Sequence, residues 1–322
     1  MKRFILQFLL FAATVWVMAA CLDRMVCKGL LKMEDYRFQD YSAMLEGGMD
    51  HDILIMGNSR GKSHYDTRII DSLGGVSSFC IGIGGYPLNI QLMKYALYRE
   101  HNEKPRVIIQ DIDLGTVSQM RDIRHRHQSE QFFPLVYDRE MRKELKQAGY
   151  GFCELYLPLY RMYGYQQAIK NGLMECLGLK HYVVWPAYKG HRPEYGAWDG
   201  NELRKMAPFE VVFNDKDKQL LEDYLAECRR DSVRVILVYS PMYVGAREKI
   251  SGLDEARRYF DETARKFGCT YLDYLDDPIC QDSTRFCVSV HMNPMATALF
   301  TRKLCHALDS LHVFGSDDRL LP

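Results

Sequence analysis

Nineteen consecutive residues near the amino terminus, Phe4 to Leu22, carry no charge, and only Gln7 and Thr14 interrupt the apolar run. At about 1.5 Å per residue, a helix of this length nearly crosses a hydrocarbon core of about 30 Å. Lys2 and Arg3 stand directly before it. A basic pair in that position favours a cytoplasmic amino terminus. The expectation is one signal anchor in the cytoplasmic membrane, with the rest of the chain extracytoplasmic (periplasmic in a Gram-negative cell). Three other readings compete. Met18-Ala19-Ala20 would be the cleavage site of a secreted protein, Cys21 the acylated residue of a lipoprotein, and the run could be the buried helix of a soluble fold.

The remaining ~300 residues have the material for a core. Hydrophobic residues make up 47% and charged residues 26% of the chain, which excludes a mainly disordered state. Lys+Arg and Asp+Glu are both 42. No global basic field is available to hold a nucleic-acid backbone, so no nucleic-acid partner is expected. Ten cysteines are present without a disulfide framework, although Cys280 and Cys287 are near enough in sequence to bridge. No Cys/His array has zinc spacing, so neither a metal nor a cofactor is expected.

Residues 23–50 read as a helical stalk ending at Gly47-Gly48. Short apolar runs then alternate with helical patterns. Five runs read as parallel strands buried on both faces: 52–57, 77–83, 106–113, 234–239 and 270–274. Helices are expected at 65–73, from Pro87 to about Arg99, at 253–267, and after the capping pair Asn293-Pro294. This alternation predicts an α/β fold, a flavodoxin-like doubly wound parallel sheet of about five strands. An insertion at about 115–215 carries Tyr137, Tyr150, Tyr156, Tyr160, Tyr163, Tyr165, Tyr182, Trp185, Tyr188, Tyr195 and Trp198. Its first half reads as helical and its second as loop. It is either a small accessory core or a surface for a sugar or lipid. The expected organisation is an anchor and stalk at 1–32 and an α/β domain at 33–322 that contains the insertion.

Three loops carry candidate chemistry. The first strand ends in Gly57-Asn58-Ser59-Arg60. A serine between a buried strand and a helix exposes its hydroxyl at the carboxyl edge of the sheet, where local N–H groups face developing negative charge. The second strand ends in Gly82-Ile83-Gly84-Gly85, whose glycines admit a close backbone N–H donor. His291-Met292-Asn293-Pro294 precedes the last helix, and a histidine there is placed to act as general base toward Ser59. Each loop alone also has an ordinary role as a βα turn, a tight turn or a helix cap.

Together these blocks resemble the SGNH/GDSL hydrolase superfamily, in particular its membrane-anchored branch of glycan O-acetyltransferases and D-alanyl-teichoic-acid transfer proteins. Gly57-Asn58-Ser59-Arg60 matches the first block and Cys80 to Gly85 the second. Val288 to Thr297 matches the last, and Phe300-Thr301 also suits it. The resemblance covers about 50–311 without the insertion. It implies Ser59 as nucleophile, His291 as base, and Ser59 and Gly85 as oxyanion donors. Arg60, Asp113 and Asn293 are candidate substrate contacts. The implied substrate is an acylated glycan or small ester.

Two positions depart from the pattern. The family's acid stands three residues before the histidine, where this chain has Val288. The block-three asparagine falls near Asp113, and an ionised carboxylate cannot donate to an oxyanion. A Ser-His dyad, or a distant acid among Asp273, Asp276, Asp277 and Asp282, would keep an esterase or O-acyltransferase working. Otherwise the chain is a non-catalytic binding module on the same fold. A nucleotide-binding reading lacks its GxxxxGK[ST] loop.

Overall fold

The computed structural model describes residues 1–118, 128–184 and 187–315. The chain folds as two units: residues 1–46 with 122–186, and residues 47–121 with 187–322. The aromatic stretch at 115–215 is thus divided between them, and Trp185 lies outside the described residues.

In the first unit, one helix runs from Lys2 to Lys32 and is long and apolar enough to cross a membrane. The helical reading of the stalk holds only to Lys32. A two-residue strand, Glu34–Asp35, and a separate helix, Gln39–Glu46, follow. The inner half of the long helix packs on the helix Gln166–Cys176. Gly29 and Gly172 make that approach possible, since a Cβ on Gly29 would stand 1.7 Å from the Gly172 carbonyl oxygen. Val26, Leu30, Met33, Phe38, Phe133 and Met162 form the core around this contact.

The second unit holds five parallel strands: β1 (Ile53–Met56), β2 (Ser78–Cys80), β3 (Val107–Asp111), β4 (Arg234–Tyr239) and β5 (Thr270–Asp273). Their order is 2-1-3-4-5, the doubly wound flavodoxin-like arrangement. The helices are α1 (Ser59–Ser63), α2 (Thr67–Gly74), α3 (Leu88–His101), α4 (Asp215–Arg230), α5 (Leu253–Phe267) and α6 (Pro294–Ser310). The alternating strand residues Ile53, Ile55, Val107, Ile109, Ile236 and Val238 pack with Ile70 of α2 and Phe300, Leu304 and Leu308 of α6. That explains why the strands are apolar throughout: each face meets helices. On the other face, α4 packs between α3 and α5. Helix α4 starts where the Asn214 side chain accepts the N–H groups of Lys216 and Asp217.

All ten cysteines are free. Cys280 and Cys287 do not bridge: the Cys280 thiol points to the Tyr274 carbonyl, and the Cys287 thiol to those of Glu194 and Gly196.

Candidate active site

Strand β1 delivers Ser59 to the carboxyl edge of the sheet. Gly57 turns the chain there at φ +145°, in backbone space that suits glycine, and a Cβ on it would stand 2.8 Å from Cβ of Asp111. The Asn58 side chain then caps α1 by accepting the Arg60 N–H at 3.0 Å. Because β1 lies between β2 and β3, Ser59 sits where the strand order reverses, the usual ligand crevice of such sheets.

His291 reaches the same place from the far end of the chain. It lies in a hairpin, Phe286–Val288 paired with His291–Met292, just before α6. Helix α6 docks on the segment after Ser59: Thr297 Oγ1 donates to the Ser63 carbonyl and Thr301 Oγ1 accepts the Asp66 N–H. Ser59 Oγ and His291 Nε2 consequently stand 2.7 Å apart. Both are partly buried. The distance and the ring nitrogen are those of a nucleophile with its base.

A second histidine braces this arrangement. His64 is fully buried, and its Nε2 accepts the Met292 N–H at 3.1 Å, so its proton resides on Nδ1, 3.0 Å from Ser240 Oγ. The His64 ring meets the His291 ring edge-on at 6.3 Å. Below lie Asp111, Tyr65 and Arg60. Tyr65 donates to Asp111 Oδ2 at 2.5 Å, and Arg60 Nε lies 3.4 Å from Asp111 Oδ1.

Arg60 does not face a crevice. It is 3% exposed, Nη2 donates to the Ile112 carbonyl at 2.6 Å, and its guanidinium lies 5.0 Å from the centre of the Tyr239 ring. The salt bridge is therefore the role in which the structure places it. Asp113 accepts from the Asn58 side-chain amide and its own N–H bonds Thr116 Oγ1, so its carboxylate is turned to Asn58. Asn293 caps α6 through Ala296 and donates to the Thr284 carbonyl. Of the two loop glycines, Gly84 is the nearer to the serine: a Cβ on it would lie 3.8 Å from Ser59 Cβ, whereas a Cβ on Gly85 would meet nothing within 4 Å.

The four aspartates considered as a distant acid all serve elsewhere. Asp273 and Asp276 pair with Arg257, Asp277 with Lys303, and Asp282 with Arg285. Among the described residues the carboxylate nearest in role is Glu202. Its Oε2 accepts both the N–H and the hydroxyl of Ser289, at 3.0 and 2.5 Å, and so clamps the turn between Val288 and His291. No local pattern marks Glu202 in the sequence, because a glutamate on a five-residue helix is ordinary.

Burial pushes the His291 imidazole down to about 4, and the Arg60 charge adds to that; Glu202 opposes it and Arg192 reinforces it. His64 is held well below the usual histidine range by burial first and by Arg60 second. Burial raises the Asp111 carboxyl, against the opposing pull of Arg60. His291 is therefore unprotonated, and able to accept a proton, across the ordinary pH range.

Neither a family model nor a curated protein matches the sequence. The structure is similar to a crystal structure described as that of a putative acylhydrolase from Bacteroides fragilis, at 11% identity and a TM-score of 0.40, over 87% of this chain and 97% of that one.

Proposed function

We propose that the protein is a membrane-anchored serine esterase or O-acyltransferase of the SGNH type, acting on an acylated extracytoplasmic glycan or a related ester. The observation that carries this reading is the 2.7 Å contact between Ser59 Oγ and His291 Nε2 at the carboxyl edge of a parallel sheet. Ser59 Oγ attacks the ester carbonyl while its proton passes to His291 Nε2. The carbonyl electron pair moves to oxygen, where N–H groups of Ser59 and of the glycine turn at 84–85 are the candidate donors. When the tetrahedral centre collapses, the departing alkoxide takes the proton from His291. The acyl group then stays on Ser59 until water or an acceptor hydroxyl gives its proton to His291 Nε2 and adds to the acyl carbonyl; the second tetrahedral centre expels Ser59 Oγ, which takes that proton back from His291. Hydrolysis and transfer differ only in that last nucleophile. The uncharged run at Phe4–Leu22 after Lys2 and Arg3 supports the anchor and the extracytoplasmic side.

A second reading, a non-catalytic binding module, draws on one observation. Among the described residues, the carboxylates that flank the His291 hairpin bond to other groups, Glu202 to Ser289 and Asp282 to Thr284 and Arg285. A base without a carboxylate on its ring has less support for the imidazolium.

The deciding experiment uses the full chain in detergent micelles with p-nitrophenyl acetate and a fluorophosphonate probe, beside Ser59→Ala and His291→Ala. Hydrolysis and labelling lost in the variants establish the Ser-His pair. An unlabelled Ser59 in the parent protein, with hydrolysis unchanged in the variants, favours the binding module.

A further inference from the structure

The first unit contains an arrangement that the esterase reading leaves unused. Asp23 is the first charged residue after the apolar run, and it is fully buried. Its two oxygens accept from Arg161 Nη1 and Nη2 at 2.8 and 2.6 Å, from the Leu159 N–H at 2.6 Å and from the Tyr137 hydroxyl at 2.5 Å. Removing any donor would leave a buried carboxylate short of partners, which holds the 159–161 segment firmly at the level of residue 23.

That level has a physical meaning. With Phe4–Leu22 as a membrane span, Asp23 lies about one 1.5 Å rise beyond the hydrocarbon and therefore among the headgroups. The segment clamped to it is aromatic and outward-facing. Tyr160, between the two Asp23-bonded residues, is 53% exposed, and on the helix Phe152–Tyr156 that packs against this turn Phe152 and Tyr156 are 70% and 48% exposed. The Phe152 and Tyr156 rings lie 5.1 Å apart and form one patch. Guanidiniums accompany the rings: Arg24 lies 5.0 Å from the Tyr137 ring centre and Arg142 lies 5.3 Å from that of Tyr156. Water is a poor environment for such a patch. A bilayer interface suits it, because the rings enter below the headgroups while hydroxyls and guanidiniums meet phosphate.

We infer that Tyr160, clamped beside Asp23, together with Phe152 and Tyr156 on the short helix packed against its turn, forms a collar that seats the first unit in the membrane interface around the N-terminal helix. The occupant of this surface is the lipid bilayer. The inference rests on Phe4–Leu22 crossing the membrane, and it is independent of whether Ser59 is active.

The test places single tryptophans in the full-length protein in phosphatidylcholine vesicles with a minority of phosphatidylglycerol. Trp16, Trp185 and Trp198 are replaced by phenylalanine and Tyr160→Trp is added; Phe152→Trp is a second probe in case position 160 does not accept an indole. A companion chain keeps only Trp16. Vesicles then carry lipids brominated near the carbonyl or near the end of the acyl chain. The expected result is loss of emission at 160 and 152 with the carbonyl-proximal bromines above all, and loss at Trp16 with the deeper bromines. Full emission at both 160 and 152 with Trp16 quenched overturns the collar and leaves the span standing. Full emission at Trp16 as well overturns the span and the collar together.

Discussion

Ser59 Oγ stands 2.7 Å from His291 Nε2 although 232 positions of sequence separate the two residues. The contact is made by two independent supports, the Gly57 turn at the end of β1 and the docking of α6 on residues 63–66. On the proposed esterase reading, replacing His291 by alanine removes the base but not the nucleophile. It is expected to lower kcat for p-nitrophenyl acetate by about 10²–10⁴-fold, the usual range for a lost general base. Steady-state kinetics at neutral pH checks it, and an unchanged kcat would remove His291 from the mechanism.

The acid limb of the pH profile follows from the same ring. Burial lowers His291 to about 4, so the free protein keeps a neutral imidazole well below the usual histidine range. The profile of kcat/KM is expected to stay level from pH 7 to about 5 and to fall as the pH drops through about 4. A fall centred near 6.5 would mean that the ring is more solvated than the structure places it.

Glu202 tests whether a carboxylate outside the usual place supports the base. Its charge raises the His291 value, and its Oε2 holds the turn at Ser289. Glu202→Gln keeps much of the shape and removes the charge. The expected outcome is a kcat/KM about tenfold lower, of the order of one pKa unit of lost interaction, with the acid limb moved to lower pH. Glu202→Ala should lose more, because the Ser289 N–H then has no acceptor. A profile identical to the parent in both variants would assign the site to a pure dyad.

Much of the sheet was legible because its strands are buried on both faces. The runs at 52–57, 106–113 and 234–239 announce Ile53–Met56, Val107–Asp111 and Arg234–Tyr239, as uninterrupted apolar stretches do. The second strand is shorter than its run, since the chain after Cys80 bends toward the site while Ile81 and Ile83 still donate to Ile55 and Gly57. Ser59 and His291 were readable from loop position. Glu202 and His64 were not. Each acts through a contact of long sequence separation, 87 residues from Glu202 to Ser289 and 228 from His64 to Met292, and leaves no local pattern. Arg60 misleads for the opposite reason: its neighbour Ser59 faces the crevice, while its own side chain follows α1 inward to Asp111 and Ile112.

The Arg60–Asp111 pair sets a stability prediction. Both side chains are nearly or fully inaccessible, and Arg60 also serves the Ile112 carbonyl. Arg60→Met leaves Asp111 buried without its counter-charge, which costs about 3–5 kcal/mol. Adding Asp111→Asn removes the orphaned charge, so the double variant is expected to recover part of the loss. Thermal unfolding of the three proteins in the same detergent reads the difference. A double variant less stable than Arg60→Met alone would show that Asp111 is held chiefly by Tyr65 and Ser240 rather than by Arg60.

Acid should destabilise the second unit earlier than its carboxylates alone would dictate. Burial lowers His291 and His191 to about 4, and His64 well below its usual range. A histidine whose folded value lies below its unfolded value of about 6.5 binds fewer protons in the native state. Stability from such a group is complete above about pH 6.5 and is lost as the pH falls toward the folded value. For a value of about 4 the full loss is about 3 kcal/mol per histidine. Asp111, raised by burial, works in the opposite direction, but among the described residues of the second unit it is one group against four histidines, since burial first and Lys189 second also lower His51. The midpoint of thermal unfolding is therefore expected to fall steadily from pH 7 to pH 4.5. His191→Gln should make that slope shallower, because one of the four lowered histidines, which take up protons on unfolding, is gone. A slope equal to the parent's in His191→Gln would mean that the imidazole at 191 reaches water in the native protein.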